Sequence, residues 1–304
     1  MAFFRETLTY LALVVIVALS AALAIPYAVD WTGRRGWVES ILSQALSARV
    51  EVVGAIDVKL LPTPILDLRQ VSVQGSAPGD PRLFADRLRL EMAPAPLLRG
   101  AVRFVEARLE RPRLTLALNE DGGFVLPHPP ANAPEEVAFE RIDIQGGEVE
   151  IARPQKAPVL IGDLTLTAEA SSFIGPFKGA GSLRVGGHAL AFRFATGAQE
   201  DGRLRLKAFV NSARPAPELA QHAEFDGALV SQAYGLDTRM RLEGAAVLSG
   251  QMRVEDVVLP WRAAGQAFLE PGRALLEPLE LRIGGEERPA TLAGSAHYDE
   301  RNAL

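Results

Sequence analysis

The spacing of apolar residues changes twice along this chain. Residues 7–29 form a run without a single charge. A short segment with apolar residues at helical spacing follows, and from Val50 onward apolar and polar residues alternate. The pattern therefore predicts one helix long enough to span a bilayer, one amphipathic helix and a β-rich remainder.

Residues 7–29 are the first of these segments. A hydrocarbon core about 30 Å thick needs roughly 20 apolar residues as a helix, so the run can cross a bilayer. Arg5 and the small residues Ala22 and Ala24 would also suit a cleaved signal peptide. The apolar run, however, exceeds the roughly 7–15 residues of a signal peptide. We therefore expect residues 1–29 to be a retained transmembrane anchor.

Residues 30–49 contain the amphipathic helix. Two tryptophans, Trp31 and Trp37, lie just after the uncharged run, where an interfacial aromatic belt would lie. The helix either caps the core of the following domain or lies on the membrane surface, and we favour the cap. Its apolar positions share one face: Val38, Ile41, Leu42, Ala45 and Leu46.

From Val50 onward the apolar period is two, which is typical of strands with one apolar and one wet face. Gln145-Gly146-Gly147 separates two such segments and predicts a β-hairpin. With no further helix predicted, the apolar faces must be buried in a sandwich, in a closed barrel, or in a long, mostly antiparallel sheet curled around its own apolar face. Alternation alone does not decide whether the apolar positions line a dry core or an open groove. These positions are Leu66, Leu68, Val71, Val73, Leu88, Leu90, Leu114, Leu116, Ile142, Ile144, Leu164, Leu166, Phe192, Phe194, Leu204 and Leu206.

A proline-rich segment at residues 127–136 interrupts the alternation. Its prolines cannot donate hydrogen bonds to a neighbouring strand. We therefore place a boundary there, between a β module at residues 50–126 and a second β-rich region at residues 137–304.

Composition argues against catalysis and against nucleic-acid binding. The net charge is -5 and there is no cysteine, so a general attraction to nucleic acid and thiolate chemistry are both excluded. The four histidines are widely spaced, and no Gly-x-Ser-x-Gly motif is present. Arg203, Arg205 and Lys207 form a basic stripe, which we interpret as a solvated strand face. We expect a protein that is not an enzyme and has no cofactor and no metal.

Several motifs in order resemble the AsmA family of Gram-negative envelope proteins. The first half carries the anchor and the segment from Val50 to Pro64, then Leu97-Leu-Arg-Gly100, Leu109-Glu-Arg-Pro-Arg-Leu-Thr-Leu116 and Asp121-Gly-Gly123. The second half is similar to the family's middle region at Ile174-Gly-Pro-Phe-Lys-Gly-Ala-Gly181, Glu224-Phe-Asp-Gly227 and Leu242-Glu-Gly244. No single motif is specific, and their order together with the anchor carries the resemblance.

The resemblance implies a cell inner membrane protein with a cytoplasmic N-terminus and the bulk of the chain in the periplasm. The cations flanking the run slightly favour the opposite orientation, and we follow the family. The family also implies an open apolar β-groove, phospholipid acyl chains as partners, and a role in phospholipid transport between inner and outer membranes and in outer-membrane homeostasis. Other envelope proteins are further candidate partners.

Two further expectations belong with the resemblance. Family members are usually longer, so we expect this chain to be a fragment or a short member, with residues 293–304 in mid-pattern. The competing hypothesis for function is a periplasmic scaffold or assembly factor for outer-membrane proteins, acting by protein contact at an exposed sheet edge.

Overall fold

The computed structural model describes residues 30–46, 48–75, 79–97, 104–118, 139–170, 176–200, 202–212, 220–234, 237–254, 256–285 and 287–299. The predicted anchor and the predicted linker at residues 127–136 therefore lie outside the described residues. Two helices are described, α1 (Arg35–Leu46) and α2 (Pro94–Leu97). Neither of these described helices has the length and apolar content that a bilayer crossing requires.

The rest of the described chain is almost entirely β-strand, as the alternation predicts. The strands are β1 (Arg49–Val52), β2 (Ile56–Lys59), β3 (Ile65–Gln74), β4 (Arg82–Met92), β5 (Phe104–Glu110), β6 (Arg113–Ala117), β7 (Phe139–Arg153), β8 (Lys156–Ala170), β9 (Phe177–Val185), β10 (His188–Glu200), β11 (Arg203–Ser212), β12 (His222–Tyr234), β13 (Asp237–Val254), β14 (Val257–Glu270), β15 (Arg273–Ile283) and β16 (Ala290–Asp299).

All sixteen strands belong to one sheet. The order is β1-β3-β4-β5-β7 and then sequential to β16, with β2 beside β3 and β6 beside β4 and β7. Neighbours are antiparallel except where β5 and β6 lie parallel to β7. A parallel pair needs a crossover connection, and the connecting residues 119–138 lie outside the described ranges. The predicted β-rich, mostly antiparallel fold is confirmed.

Four residues with positive φ lie in one line across the sheet. They are Gln70 on β3 (53°), Arg111 between β5 and β6 (47°), Gly146 on β7 (63°) and Asp163 on β8 (49°). Such a residue breaks the alternation of side chains, and on β7 and β8 the strand register shifts as well, which marks a β-bulge. Apolar residues three positions apart, such as Leu68 and Val71, therefore pack into the same core.

The structure at Gln145–Gly147 differs from the predicted hairpin, because β7 has a bulge there. β7 runs unbroken from Phe139 to Arg153, and the chain reverses only at Pro154 and Gln155. Gly146 adopts the left-handed conformation that a turn would need, but the strand uses it for a bulge. The segments on either side pair in succession with β8. The hairpin prediction at this position was wrong because a glycine pair suits both a turn and a bulge.

A second small helix was not expected. α2 is a single turn whose first residue is Pro94. Proline suits the first position of a helix because its φ is already helical and its missing N–H would have no partner there.

The fully buried core lies at the α1 end of the sheet. Val38 and Leu42 of α1 pack with Val50, Val52, Ile56, Leu68 and Val71. Val38 and Leu42 are buried, as a helix that caps the core requires. Ile41, assigned to the same face, is 44% exposed instead.

α1 also closes the first edge of the sheet. The Val50 amide donates to the Ser43 hydroxyl oxygen (2.9 Å) and the Val52 amide to a Glu39 carboxylate oxygen (2.7 Å). An unpaired strand edge invites pairing with another chain, and side-chain acceptors on the edge amides prevent this. α1 therefore serves as the end piece of the sheet.

Candidate functional site

The strand register gathers apolar residues into two rows that cross the sheet from β3 to β16. Residues paired in register point to the same face. Every member of both rows is apolar or glycine. The first row is Leu68, Leu88, Leu109, Ile144, Leu166, Gly181, Phe192, Val210, Ala223, Leu248, Ala263, Leu281 and Leu292. The second is Leu66, Leu90, Ala107, Ile142, Ala168, Gly179, Phe194, Ala208, Phe225, Ala246, Gly265, Leu279 and Gly294.

These rows are long and narrow. Adjacent strands are about 4.8 Å apart and successive residues on one face about 6.8 Å apart. The thirteen strand positions in each row therefore extend for roughly 58 Å along the sheet. One leaflet of a hydrocarbon core is about 15 Å thick. The apolar face is therefore long enough to hold several acyl chains end to end.

Nine of the sixteen predicted lining residues belong to these two rows. They are Leu66, Leu68, Leu88, Leu90, Ile142, Ile144, Leu166, Phe192 and Phe194. The other seven have a small or apolar partner on at least one side: Val71 with Ala85, Val73 with Leu83, Leu114 with Leu83, Leu116 with Ile151, Leu164 with Gly147, Leu204 with Leu229 and Leu206 with Gly227. On β10 the partners of Leu204 and Leu206 are the polar residues Gln199 and Thr196.

Exposure divides this set. Leu68, Val71 and Leu90 are buried, and Leu68 is completely inaccessible to solvent. The other thirteen are half-buried. Within the described residues, the extensive contacts are those between neighbouring strands and those of α1 with β1. The apolar face beyond the α1 core is therefore shielded by its own neighbours in the sheet and not by a second layer among these residues.

Phe192 and Phe194 show how this face is built. A methyl group added at Gly181 would lie 3.0 Å from the Phe192 ring, and one at Gly179 would lie 3.0 Å from the Phe194 ring. The two rings are stacked with centroids 6.4 Å apart. The glycines of β9 thus leave room for the aromatic rings to lie flat against the backbone. The surface is apolar there, and the rings do not project far from the sheet.

Residues on β12 to β15 that extend the rows were missed by the sequence reasoning. Phe225, Leu248 and Leu281 are examples, each half-buried on the same face. The alternation of apolar and polar residues that predicts such positions is present at Leu279-Glu-Leu281 on β15. On β12 to β14 it was weaker, because alanine and glycine occupy many apolar positions there.

The opposite face is polar and bears ion pairs between neighbouring strands. Arg87 on β4 donates to Asp67 on β3 (Nε to Oδ1, 2.8 Å) and reaches Glu110 on β5 (3.3 Å). These partners raise the pKa of Arg87, and the hydrogen bond that Arg87 donates to Asp67 contributes most. The sheet therefore separates an apolar face from a charged one.

Asp143 is the one buried polar residue of this face among the described residues. Burial alone would raise its pKa. The hydrogen bonds from Thr167 (2.8 Å) and Arg141 (2.8 Å), together with the charges of Arg141 and Arg108, outweigh burial and hold the pKa below its ordinary value. A carboxylate stabilised in its ionised form is a poor general base at neutral pH. Asp143 instead links neighbouring side chains of the polar face through its hydrogen bonds with Thr167 and Arg141.

The basic stripe on β11 is neutralised by its neighbours. Arg203 lies 3.5 Å from Glu243, Arg205 lies 3.8 Å from Asp226, and Lys207 lies 3.4 Å from Glu224. These pairs are exposed, so they contribute little to stability. The arrangement agrees with a solvated face.

The histidine and carboxylate side chains of the described ranges are dispersed. Nowhere in them do three or more histidine or carboxylate side chains converge on a point that could hold a metal ion. His222, for instance, shares a hydrogen bond with Asn211 instead (2.7 Å).

A family model described as the AsmA family matches residues 2–151. The chain belongs to the AsmA family. The match spans the uncharged run at residues 7–29, α1 and the strands through most of β7, and it confirms the family resemblance proposed from the motifs of the first half. Membership is consistent with a function related to the cell envelope and its outer membrane. No curated protein and no solved structure matches the chain significantly.

Proposed function

We propose that this AsmA-family protein is anchored in the inner membrane by residues 7–29 and moves phospholipids between the inner and outer membranes. Acyl chains would lie along the apolar sheet face, and no bond would be made or broken. The observation that carries the proposal is the pair of continuous apolar rows, in which most large apolar side chains beyond the α1 core are half-buried while alanines such as Ala107, Ala168 and Ala263 are buried.

Energetics support acyl chains as the ligand of such a face. Burial of apolar surface stabilises by about 25 cal/mol per Å². A long half-exposed apolar strip is unfavourable in water, and contiguous apolar patches of this kind mark ligand or interaction sites. An acyl chain can cover the strip along its whole length, because it offers apolar surface and requires no hydrogen bonds from the face.

Curling of the sheet would deepen the strip into a groove. Bulges bend strands and increase their twist, and β7 and β8 have bulges near Gly146 and Asp163. Sheets beyond about 10 strands rarely stay open without curling or splitting. We expect the curl to have the apolar face inside.

Photo-crosslinking in membranes tests the proposal. A photoreactive residue at position 166, on the apolar face of β8, should form lipid adducts in the full chain. The same residue at position 165, exposed on the opposite face of that strand, should form few. Equal lipid adducts at both positions, or adducts at neither, would contradict lipid carriage by this face.

The anchor has a separate test. Residues 7–29 should hold the full-length chain in membranes through a carbonate wash, because the hydrophobic burial of about 20 residues does not depend on charge. The mass of the chain should include residue 1. A soluble species beginning at Ile25 would show cleavage after Ala24 and would remove the tether from the mechanism.

A second candidate function is a scaffold for outer-membrane proteins, favoured by β16. Nine of the ten residues of β16 are exposed, and among the described residues only β15 pairs with it. An extended segment of another protein could pair with that edge. Crosslinks from residue 292 to polypeptide, without lipid adducts from residue 166, would favour this function.

A further inference from the structure

α1 has a third side that neither the core nor the sheet edge uses. Val38 and Leu42 face the core, and Glu39 and Ser43 bond to the β1 amides. The remaining stripe begins at the residue directly before α1 and continues at i+3, i+7 and i+10, and it is exposed throughout: Arg34, Trp37, Ile41 and Gln44. Trp37 is 59% exposed and Ile41 is 44% exposed.

Exposure of these two side chains is unusual within this short helix. Six residues before Trp37, Trp31 packs against the core, so the neighbouring tryptophan is not exposed in the same way. A tryptophan and an isoleucine one turn apart form a contiguous apolar strip. Arg34 adds a cation at one end of the strip and Gln44 a polar group at the other.

The position of α1 along the chain identifies what the strip can touch. The uncharged run ends at residue 29, and Asp30 follows directly. The Asp30 carboxylate then accepts a hydrogen bond from the Gly33 amide (3.0 Å), and the Arg34 amide donates to the Trp31 carbonyl oxygen (3.1 Å). This turn passes directly into α1. With a rise of about 1.5 Å per helical residue, Trp37 lies within roughly 15 Å of Asp30 along the chain.

We propose that the stripe formed by Arg34, Trp37, Ile41 and Gln44 rests in the interfacial layer of the bilayer that holds residues 7–29. The inference rests on the anchor of the proposed function. Tryptophan is favoured at the boundary between headgroups and acyl chains. An amphipathic helix buries its apolar face about 5–10 Å into that layer, and an arginine beside it can pair with lipid phosphates.

The consequence is a fixed placement of the sheet. α1 joins β1 through two side-chain hydrogen bonds and through the core, so a helix lying on the membrane brings the first strands to the bilayer surface. The apolar rows begin on β3, two strands from that end. All three sides of α1 then have a partner: the core, the edge of β1 and the membrane.

The absence of cysteine makes the test direct, because one introduced cysteine carries the only label. The full chain with Ile41→Cys is spin-labelled and reconstituted in vesicles of phosphatidylethanolamine and phosphatidylglycerol. Gly36→Cys is the matched control, since Gly36 is exposed on another side of the same helix with no atom near its added side chain. The ratio of oxygen accessibility to aqueous nickel-chelate accessibility should be several-fold higher at position 41 than at position 36.

The outcomes separate this inference from the anchor. If the chain floats with the vesicles but label 41 is as open to nickel as label 36, the stripe does not touch the bilayer and the inference fails while the anchor stands. If label 41 is shielded from both reagents, a protein surface covers the stripe and the inference is equally wrong. If the chain does not float at all, the anchor and the inference fail together.

Discussion

Replacing Leu68 by alanine should lower the free energy of unfolding by about 2–5 kcal/mol, the range for removing a large aliphatic side chain from a packed core. Leu68 has no solvent exposure and lies between α1 and the first strands. Its removal leaves a cavity that Val52 and Val71, themselves fully buried, are poorly placed to fill. Chemical denaturation of the full chain in detergent, followed by circular dichroism, measures the change.

Leu166→Ala is the matched control for this result. Leu166 belongs to the same row of paired residues as Leu68 but is half-buried. Because solvent already reaches its side chain, truncation should cost only about 1 kcal/mol. Equal losses for the two variants would mean that the face beyond α1 is as dry as the core, and this would remove the basis for an open groove.

Much of this fold could be predicted from the sequence because alternation is a direct consequence of strand geometry. Leu66, Leu68, Val71 and Val73 were assigned to one face although their spacing of two, three and two breaks strict alternation. The structure explains the irregular step by the positive φ of Gln70. On β3 the step of three inside an alternating run is therefore a readable signal of a residue with positive φ, and β4 takes the same step between Ala85 and Leu88.

Other features depend on which strands pair, and local patterns do not contain that information. Nothing in the segment from Phe104 to Ala117 indicates that it lies parallel to β7 while every other neighbour is antiparallel. The ion pair of Arg203 with Glu243 joins strands that are not adjacent in the chain. The exposure of Ile41 could not be predicted either, because helical spacing places Ile41 beside Val38 and Leu42 without showing where the core ends.

Phe192→Asp should leave the protein folded and abolish its contact with acyl chains. Phe192 is half-buried, with its ring against Gly181 on β9 and with Val210 opposite it on β11. In an open groove the new carboxylate remains hydrated, so unfolding should become easier by only about 1–3 kcal/mol. A charge buried without a partner in a dry core would cost more, about 3–5 kcal/mol, and could unfold a marginally stable domain.

In Phe192→Asp, contact with lipid should fall strongly even though stability falls only slightly. Phe194 is stacked beside Phe192, so a photoreactive residue at position 194 reports on the same stretch of the face. An acyl chain passing a carboxylate must either displace its water or move away. We expect lipid crosslinks from position 194 to fall at least about tenfold, which corresponds to roughly 1.4 kcal/mol of lost contact free energy.

Ala191→Asp separates the effect of the face from the effect of the charge. Ala191 is the neighbour of Phe192 on β10 and is exposed on the polar face, where it pairs with Ser182 and Asn211. The same carboxylate there should change neither unfolding nor crosslinking from position 194. Global unfolding of Phe192→Asp would show that this part of the sheet is a closed core. Undiminished crosslinking in a folded Phe192→Asp protein would show that acyl chains do not follow this row. An acyl chain lying against position 192 would have to remove water from the new carboxylate, which is unfavourable.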